Sequence, residues 1–519
     1  MPRPRPASIP VLAPRRALAS LLVLLSAGMA SAGELGPELQ RALATRGTHA
    51  DTEVIVRFRH AVNLPAYATG ARKQRDNRLL RALRANLARQ DASVQAVLAL
   101  PDVGQVRRLW IINGLALTLP AHAVRALAAM PGVARVDLDS HVQGAGNQRT
   151  PAPRARAGQT AHAVVPVETQ PIALEPDARA VQPEWNIRAM HAPALWAQGQ
   201  TGRGVVMASM DTGVDLSHPD LRRRWRGGSN SWFDPHQEEA TPYDALGHGT
   251  QALAIVLGGS GVGMAPDARW IAVRLFDSNG HARMSDIHLA FQWLLDPDGD
   301  AATLDAPDVV NASWALTGRA AGSCILEFNE DIQVLRSAGI ALVFAAGNDG
   351  PGPGTSSSPG NNPGALSVGA VTRELALARQ TSRGPSACDG SVFPRLLAPG
   401  VNVRTADLSH GGVPSYTYVS GSSLAAPHVS GAMALLAAAF PDASVGELES
   451  ALTASAGRVE QASGAGMDQP GLLDVQAAFE RLRRHHALAT PNGGVAPVGA
   501  LSLAKGAALP QEPAPRRTP

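Results

Sequence analysis

Three short segments carry residue types that could together form a nucleophilic catalytic site. Asp211 lies in Asp-Thr-Gly-Val-Asp-Leu, His248 in Gly-His-Gly-Thr, and Ser423 in Ser-Gly-Ser-Ser-Leu-Ala-Ala-Pro-His. A serine hydroxyl becomes a useful nucleophile when a histidine, with an ordinary pKa near ~6.5, accepts its proton and a buried carboxylate orients that histidine. Neighbouring glycines let a substrate approach the backbone closely. The three segments therefore predict acyl transfer at Ser423.

The elements that must position these residues are predicted from apolar runs. Short continuous runs are typical of strands buried on both faces of a parallel sheet, and helical stretches separate them. We expect a doubly wound α/β domain with its site at the carboxyl ends of the strands, where Asp211 would stand. Ser423 would begin a helix, with free N–H groups for an oxyanion and with Pro427 in the first turn. The predicted strands are 204–210, 270–274, 307–311, 341–345 and 366–370, and the helices include 285–295 and 325–338.

A smaller α/β unit is predicted before this domain. Its apolar pattern alternates as strands do and then takes helical spacing, and Asn113-Gly114 favours a tight hairpin between two strands. The resulting βαββαβ order is the ferredoxin-like arrangement, which is common and indicates no chemistry by itself. The elements are a strand over 53–59, a helix over 74–99, two strands over 109–119, a helix over 121–130 and a strand over 133–138.

Composition divides the chain into five regions. Residues 1–32 combine arginines, a short apolar run and Ala-Ser-Ala, the pattern of a secretory signal peptide. The alternative, a membrane anchor, fails because the run is too short to cross ~30 Å of hydrocarbon. Residues 143–182 form a Pro/Ala-rich linker, and residues 487–519 are predicted to be a disordered tail. The two folded regions are therefore 33–142 and 183–486.

The overall composition excludes several classes of protein. Of 519 residues, 45% are hydrophobic and 17% are charged, so a large core is possible and global disorder is excluded. Two cysteines exclude a disulfide-built miniature scaffold and a cysteine-rich zinc protein. The net charge of +3 is too small to suggest nucleic-acid binding. The charge is also uneven, with 15 basic and 9 acidic residues in 33–142 against 20 basic and 30 acidic residues in 182–486, which would suit two parts that dock.

Taken together, these segments resemble the subtilisin-like serine peptidase family. The blocks around Asp211, His248 and Ser423 match in the family's order, and Ala-Ala-Gly-Asn348-Asp-Gly matches a fourth block. Smaller features, such as Ser382-Arg-Gly-Pro-Ser, are most similar to the bacillopeptidase F branch. The resemblance covers about residues 183–480. Residues 33–142, chiefly 50–140, look like the propeptide that such enzymes use as a folding chaperone and inhibitor.

The resemblance implies a serine endopeptidase that is made as a zymogen and hydrolyses peptide bonds through an acyl-enzyme. Ser423 would be the nucleophile, His248 the general base and acid, and Asp211 the orienting carboxylate. Asn348 would donate a hydrogen bond to the oxyanion, alongside the backbone N–H of Ser423. Two backbone stretches would wall the substrate pocket and pair with substrate as an added strand: Ser313, Trp314 and Ala315 on one side, and Ala345, Ala346 and Gly347 on the other.

The same resemblance sets expectations for partners and location. The partners would be polypeptide substrates and the chain's own propeptide acting as an intramolecular inhibitor, with no nucleic acid and no membrane after signal removal. A monomer is expected, in a secreted or periplasmic location. The propeptide would be cut away between about His141 and Gln182.

Departures from the family pattern affect the nucleophile, the pocket and a metal site. Ser422 stands where the family usually has threonine, and alignment on Ala425-x-Pro427 favours Ser423 as the nucleophile. Ala315 replaces a usual glycine beside the pocket. The segment from His248 to 266 is shortened and lacks the asparagine-bearing calcium loop. No cofactor is therefore predicted, and the usual high-affinity calcium site is expected to be missing.

Other residues have simpler interpretations. The carboxylates of residues 296–308 could hold calcium, but the favoured interpretation is a turn with an acidic surface. His428 is expected to pack or to form a hydrogen bond, and the run Arg222–Arg224 is expected to be a solvated loop. Cys324 and Cys388 are predicted to form a disulfide, as an exported protein permits, and the alternative is two buried thiols.

Two rival functions are weighed against the peptidase. A catalytically silent homologue acting as a binding or structural protein would show damage to the Asp, His or Ser segment, and none is visible. An esterase of the α/β-hydrolase type would carry Gly-x-Ser-x-Gly with serine before histidine in the chain, and neither feature occurs around Ser423.

Overall fold

The computed structural model describes residues 33–45, 47–67, 77–143, 182–316, 322–459 and 470–489. The chain divides into two compact units that do not follow sequence order. The first takes Met1–His60, Leu87–Arg108 and Asn113–Leu138, and the second takes Ala61–Asn86, Leu109–Ile112 and Asp139–Pro519. The predicted signal peptide, the linker from residue 144 to residue 181 and the tail beyond residue 489 lie outside the described residues.

The first unit is built on a five-stranded sheet. Its elements are β1 (Glu34–Leu35), α1 (Pro37–Thr45), β2 (Asp51–Phe58), α2 (Arg78–Arg89, divided between the units), α3 (Asp91–Leu98), β3 (Gly104–Leu109), β4 (Gly114–Pro120), α4 (Val124–Ala128) and β5 (Val133–Leu138). The strand order is β1-β5-β2-β4-β3. β2 is antiparallel to both neighbours, and β1 runs parallel to β5. The sequence did not predict β1 and α1.

The tight hairpin predicted at Asn113-Gly114 is wrong. A 3₁₀ turn over Trp110–Ile112 separates β3 from β4, and Ile111 and Ile112 are both buried there. Asn113 takes a left-handed φ of 51°, and its side-chain amide donates to the carbonyl of Arg59 at 2.9 Å. Burial of the two isoleucines, which a two-residue turn would have left in strands, explains the different connection.

The second unit contains an eight-stranded sheet. Its elements are β6 (His141–Gln143), α5 (Trp185–Ala189), α6 (Ala192–Trp196), β7 (Val206–Asp211), α7 (Pro219–Arg222), β8 (Trp232–Phe233), α8 (His248–Leu257), β9 (Arg269–Arg274), β10 (His281–Arg283), α9 (Met284–Leu295), β11 (Val309–Ala312), α10 (Asn329–Ser337), β12 (Ala341–Ala345), β13 (Leu366–Val371), β14 (Leu396–Pro399), β15 (Val403–His410), β16 (Val413–Val419), α11 (Ser422–Ala439), α12 (Val445–Ala454), β17 (Gly471–Leu472) and α13 (Val475–Ala489).

The parallel α/β sheet predicted from the apolar runs is confirmed. Its strand order is β17-β14-β13-β12-β11-β7-β9-β8, and every neighbouring pair is parallel. The chain builds outward from β7 in both directions, so the order of strands reverses there. A crevice at the carboxyl ends of the strands beside such a reversal is the usual position of a site in an open α/β sheet. Asp211 is the last residue of β7.

Helix α11 packs through the core of this unit. Among the described residues it is the one helix that is long and apolar enough to cross a membrane, and 89% of it is buried inside the protein. Its contacts are with α8 and with strands β11 to β14. Burial within the protein accounts for the apolar composition of this helix. Ser422 and Ser423 are its first two residues, so both are held by an element of the core.

Candidate active site

Asp211 and His248 form a buried, charge-assisted pair. His248 Nδ1 lies 2.7 Å from Asp211 Oδ1, and the side chains are 6% and 1% exposed. Burial lowers the pKa of His248, but the charge and hydrogen bond of Asp211, together with the charge of Asp244, raise that pKa to a net value above the ordinary 6.5. Nδ1 therefore donates to the carboxylate, and Nε2 is left as the proton-accepting atom of the neutral ring. Within the part of the chain that the structure describes, Nε2 is buried without a hydrogen-bond partner.

Asp244 was not predicted as a site residue, but it organises the turn that presents His248. Its carboxylate is buried and lies four residues before the histidine. Five hydrogen bonds of 2.7–3.0 Å end on it, from the hydroxyl and the N–H of Thr250, the hydroxyl of Thr212, and the N–H groups of Leu246 and Gly247. Asp244 therefore joins the start of α8 to the residue that follows Asp211. An acidic residue shortly before the Gly-His-Gly segment was the sequence signal that could have identified it.

Gly249 is required because the backbone of the Asp-Thr-Gly loop lies very close to the start of α8. A Cβ on this residue would lie 2.1 Å from the carbonyl oxygen of Gly213. The first turn of α8 therefore packs directly on the Asp-Thr-Gly loop, which brings His248 to Asp211. This contact explains why a glycine follows the histidine.

Ser423 lies in the first turn of α11, where its N–H has no carbonyl within the helix. The sequence predicted Pro427 in the first turn of this helix, and that prediction is wrong. Pro427 is the sixth residue of the helix. Because proline has no N–H, the carbonyl of Ser423 loses its usual helical donor. The buried hydroxyl of Ser313 donates to that carbonyl instead, at 2.7 Å. One wall of the predicted pocket is thereby bonded to the backbone of the predicted nucleophile.

Ser422 orients Asn348 toward the hydroxyl of Ser423. The N–H of Ser422 donates to Asn348 Oδ1 at 2.9 Å, and its hydroxyl accepts from the N–H of Gly347 at 3.1 Å. The amide nitrogen of Asn348 therefore faces away from Ser422. A Cβ on Gly421 would lie 3.0 Å from Ser423 Oγ and 3.5 Å from Asn348 Nδ2, so the two atoms border one small space. That space suits an oxyanion that forms next to the nucleophile.

The two predicted pocket walls follow neighbouring parallel strands. Residues 313–315 follow β11, residues 345–347 end and follow β12, and the two strands pair in register. The side chain of Trp314 is only 1% exposed and packs edge-on against Phe276, Phe328 and Phe344, so its backbone rather than its ring is available to the cleft. Ala315, Ala345 and Ala346 are also buried.

A third segment, residues 356–358, closes the space between these walls and was not predicted. A Cβ on Gly347 would lie 2.7 Å from the hydroxyl of Ser357, and Leu316 N–H donates to the carbonyl of Ser358 at 2.8 Å. The predicted disulfide Cys324–Cys388 is confirmed. It joins two segments that flank residues 356–358: Gly322 N–H donates to Ser356 O, and Ala387 N–H donates to Ser356 Oγ.

The other residues considered from the sequence are not part of the predicted catalytic site. His428 is buried, and burial lowers its pKa to about 4; one ring nitrogen bonds to the carbonyl of Leu424 and the other to the amide of Asn186. Arg222 ends the short helix α7. Among the described residues two groups could hold a metal ion by their spacing: Glu447, His485 and His486, and Asp296, Asp298 and Asp305.

The sequence is similar to that of known proteins. The sequence profile of the subtilase family matches residues 202–474. Bacillopeptidase F of Bacillus subtilis (strain 168) is 30% identical over 449 residues, which cover 78% of this chain and 29% of the relative. Subtilisin of Bacillus pumilus is 34% identical over 305 residues, which cover 57% of this chain and 98% of the relative.

A solved structure supports the same fold. Fervidolysin from Fervidobacterium pennivorans, described as a keratinolytic enzyme related to subtilisin, superposes with a TM-score of 0.57 at 19% identity, covering 86% of this chain and 63% of that one. The chain thus spans under a third of bacillopeptidase F and less than two thirds of the fervidolysin chain.

The parallel sheet and the similarity to these proteins define a subtilisin-like fold. The chain belongs to the subtilase family.

Substituting Asp244→Asn tests the turn around His248. The amide nitrogen of asparagine cannot accept the two bonds from Thr250, so we expect kcat to fall about 10- to 100-fold through misplacement of the ring. Loss of the charge also lowers the pKa of His248, so the acid limb of the kcat/KM profile should move to lower pH. Steady-state kinetics across pH measure both effects. Asp442→Asn, at an exposed aspartate, is the control, and an unchanged profile in Asp244→Asn would contradict the assignment.

Proposed function

We propose that this chain is a secreted serine endopeptidase, made as a zymogen, in which Asp211, His248 and Ser423 hydrolyse peptide bonds. The observation that carries the proposal is the 2.7 Å bond between His248 Nδ1 and Asp211 Oδ1, with Nε2 buried and available to a proton. His248 takes the proton of Ser423 as the hydroxyl attacks the substrate carbonyl, and returns it to the leaving amine. Water activated by the same ring then hydrolyses the acyl-enzyme.

The oxyanion of each tetrahedral intermediate is stabilised by donors in fixed positions. The amide of Asn348 and the N–H of Ser423 supply the two hydrogen bonds. The bond from Ser422 N–H to Asn348 Oδ1 supports this role, because it holds the amide before the substrate arrives. Donors that need no reorganisation during the reaction stabilise developing charge most effectively.

Substrate binds as an added antiparallel strand, and β6 supports this mode. His141, Val142 and Gln143 pair with Arg283, Ala282 and His281 of β10. The strand β6 therefore runs toward the turn before β10, where Asp277 N–H bonds to His281 O. Two residues earlier, Leu275 N–H donates to the carbonyl of Asp211 at 2.6 Å. An extended chain on this edge is directed toward the predicted catalytic residues.

Residues 33–142 serve as the propeptide, a ferredoxin-like inhibitor and folding aid that is cut away after export. The strand pairing of β6 supports this role, because a segment of the chain itself occupies the edge that substrate would use. The opposite charge balance of 33–142 and 182–486 favours their association. The mature enzyme is a monomer, and it acts on polypeptides outside the cytoplasm.

Labelling with a fluorophosphonate distinguishes the two adjacent serines. Ser423→Ala should abolish labelling, because the attacking oxygen is lost. Ser422→Ala should still be labelled, at a lower rate, because Gly347 N–H loses an acceptor while the nucleophile remains. Gel fluorescence and intact mass measure the adduct. Labelling that survives only in the Ser423→Ala protein would refute the nucleophile assignment, and casein hydrolysis by the wild type is the matching activity control.

The site of processing is tested on the secreted protein. N-terminal sequencing should place the mature start between about His141 and Gln182, because β6 directs the chain toward the catalytic residues just before this region. The Ser423→Ala chain should remain uncut. A mature start before residue 130 or after residue 190 would contradict the proposed boundary.

The mature domain functions without calcium at the loop after α8. Asp220, a carboxylate that contacts this loop through Ser260, accepts hydroxyl hydrogen bonds from Ser260 at 2.9 Å and from Tyr416 at 2.8 Å, one on each oxygen. A tightly bound ion would stabilise the folded state by mass action. Because no such ion is expected at this loop, treatment with EDTA should change Tm of the Ser423→Ala chain by less than about 2 °C, measured by circular dichroism. A fall of about 10 °C that added calcium reverses would show that a structural ion is present.

A further inference from the structure

The loop between α9 and β11 concentrates four carboxylates within ten residues. It reads Asp296-Pro-Asp-Gly-Asp-Ala-Ala-Thr-Leu-Asp305, and we call it the acidic loop. Asp298 accepts the N–H of Asp300 and the hydroxyl of Thr303, both at 2.8 Å, so it stabilises the turn itself. Asp296 differs, because its side chain is only 2% exposed and its cationic partner comes from a distant part of the sequence.

Arg84 of α2 is that partner. Its Nη2 forms an ion pair with the carboxylate of Asp296, and its Nη1 donates to the carbonyl of Gly299 at 3.0 Å. The guanidinium also lies over the ring of Trp110, 5.2 Å from its centroid. The side chain is 34% exposed, so one edge of the guanidinium remains near solvent. Planar stacking and a forked donor set make arginine, rather than lysine, suited to this position.

Asn77, directly before α2, and Arg81 within it also contact the acidic loop. The amide of Asn77 donates to the carbonyls of Ala301 and Thr303 at 2.7 and 2.6 Å, and Arg81 donates to Ala301 O at 3.4 Å. Residues 77, 81 and 84 have the i, i+4, i+7 spacing of one helical face. The opposite face of the helix is apolar and buried, through Leu79, Leu80, Leu83 and Leu87.

Electrostatics make Arg84 the central member of this face. Burial raises the pKa of Asp296, Arg84 opposes that change, and the charges of Asp305, Asp298 and Asp300 add to it, so the net pKa lies above the ordinary value. Without Arg84 the acidic loop would hold a buried carboxylate beside three others. Removal of one partner from a buried ion pair is costly, because the other charge stays desolvated.

Asn77, Arg81, Arg84 and the acidic loop all belong to the second unit, yet they lie on opposite sides of the region 141–182 in the sequence. We propose that the acidic loop is an exosite for the chain's own propeptide, which holds α2 through Arg84 after the chain has been cut. The proposal rests on the proposed function, because the contact becomes intermolecular only when the zymogen is processed. The loop is separate from the substrate edge at β10, so it holds the propeptide at a second place, away from the edge where the propeptide blocks substrate. Release of the propeptide then depends on ionic strength.

The test uses the full Ser423→Ala chain with a site for a sequence-specific protease inserted in the linker. After this cut, the rate of propeptide release is followed by size exclusion chromatography and gel electrophoresis. Arg84→Met keeps the apolar stem but removes the charge, and should release the propeptide at least about 10-fold faster than the parent. Arg41→Met, which removes an exposed charge elsewhere in the propeptide, is the matched control and should behave as the parent does.

Coupling shows whether the contact itself is responsible. Asp296→Asn should also accelerate release, and the double variant should release no faster than the faster single variant, because both remove one interaction. Raising NaCl from about 50 to about 500 mM should accelerate release of the parent more than that of Arg84→Met. If Arg84→Met folds poorly by circular dichroism, Asn77→Ala and Asp296→Asn provide the same comparison.

Two results would overturn the proposal. One is an equal release rate for Arg84→Met, Arg41→Met and the parent. The other is a double variant whose effect is the product of the two single effects, which would mean that Arg84 and Asp296 act independently. Failure of the wild-type chain to process itself between 141 and 182 would instead contradict the zymogen, because the inserted cut measures the exosite without catalysis.

Discussion

The charged hydrogen bond between Asp211 and His248 is the interaction on which the rest of this structure depends. Both side chains are almost completely buried, so water does not screen their attraction. The same burial disfavours a charged ring and a lone carboxylate, and the surroundings must compensate with fixed polar groups. Thr212 N–H donates to Asp211, and Asp244 adds a second negative charge near the ring. The parallel sheet supplies the rigid base, because Asp211 ends a strand with neighbours on both sides.

Helix α11, which contains Ser423, is linked to the parallel sheet at the point where Pro427 interrupts its hydrogen bonds. Pro427 leaves one helical carbonyl without its donor, and Ser313 replaces that donor from the end of β11. Asn311, within β11, donates to the hydroxyl of Ser313 and accepts from Ser430, one turn further along α11. Buried hydrogen bonds of this kind are costly to leave incomplete. The pocket wall and the nucleophile therefore hold one relative position, which a catalytic geometry requires.

Charge is distributed so that different surfaces have different tasks. The residues around the cleft use single buried carboxylates that accept hydrogen bonds from fixed donors, as Asp244 and Asp211 do. The acidic loop uses several carboxylates together, and their mutual repulsion is relieved by a cation from another segment. The first arrangement is stable by itself and suits a permanent active site. The second depends on its partner, which suits a contact that must eventually be released.

Local sequence patterns predicted the parallel sheet and the disulfide that the structure contains, and they indicated the three residues of the candidate triad. Motifs around Asp211, His248 and Ser423 are local and dense, because glycines and small residues are needed wherever the backbone approaches closely. Continuous apolar runs located β7, β9, β11, β12 and β13 because strands buried on both faces tolerate few polar residues. These features depend on neighbours in the chain, so a single sequence displays them.

The partners of polar groups that lie far apart in the sequence follow from packing in three dimensions and could not be predicted from local patterns. The donors on Asp244, the replacement of the Pro427 bond by Ser313, and the closure of the pocket by Ser357 each join different segments. The same holds for Asp296. Its local sequence suggested an exposed turn, whereas the structure buries its carboxylate against Arg84. At Asn113-Gly114 the local preference for a hairpin lost to burial of Ile111 and Ile112. Local rules predict which groups need a partner, whereas packing in three dimensions selects the partner.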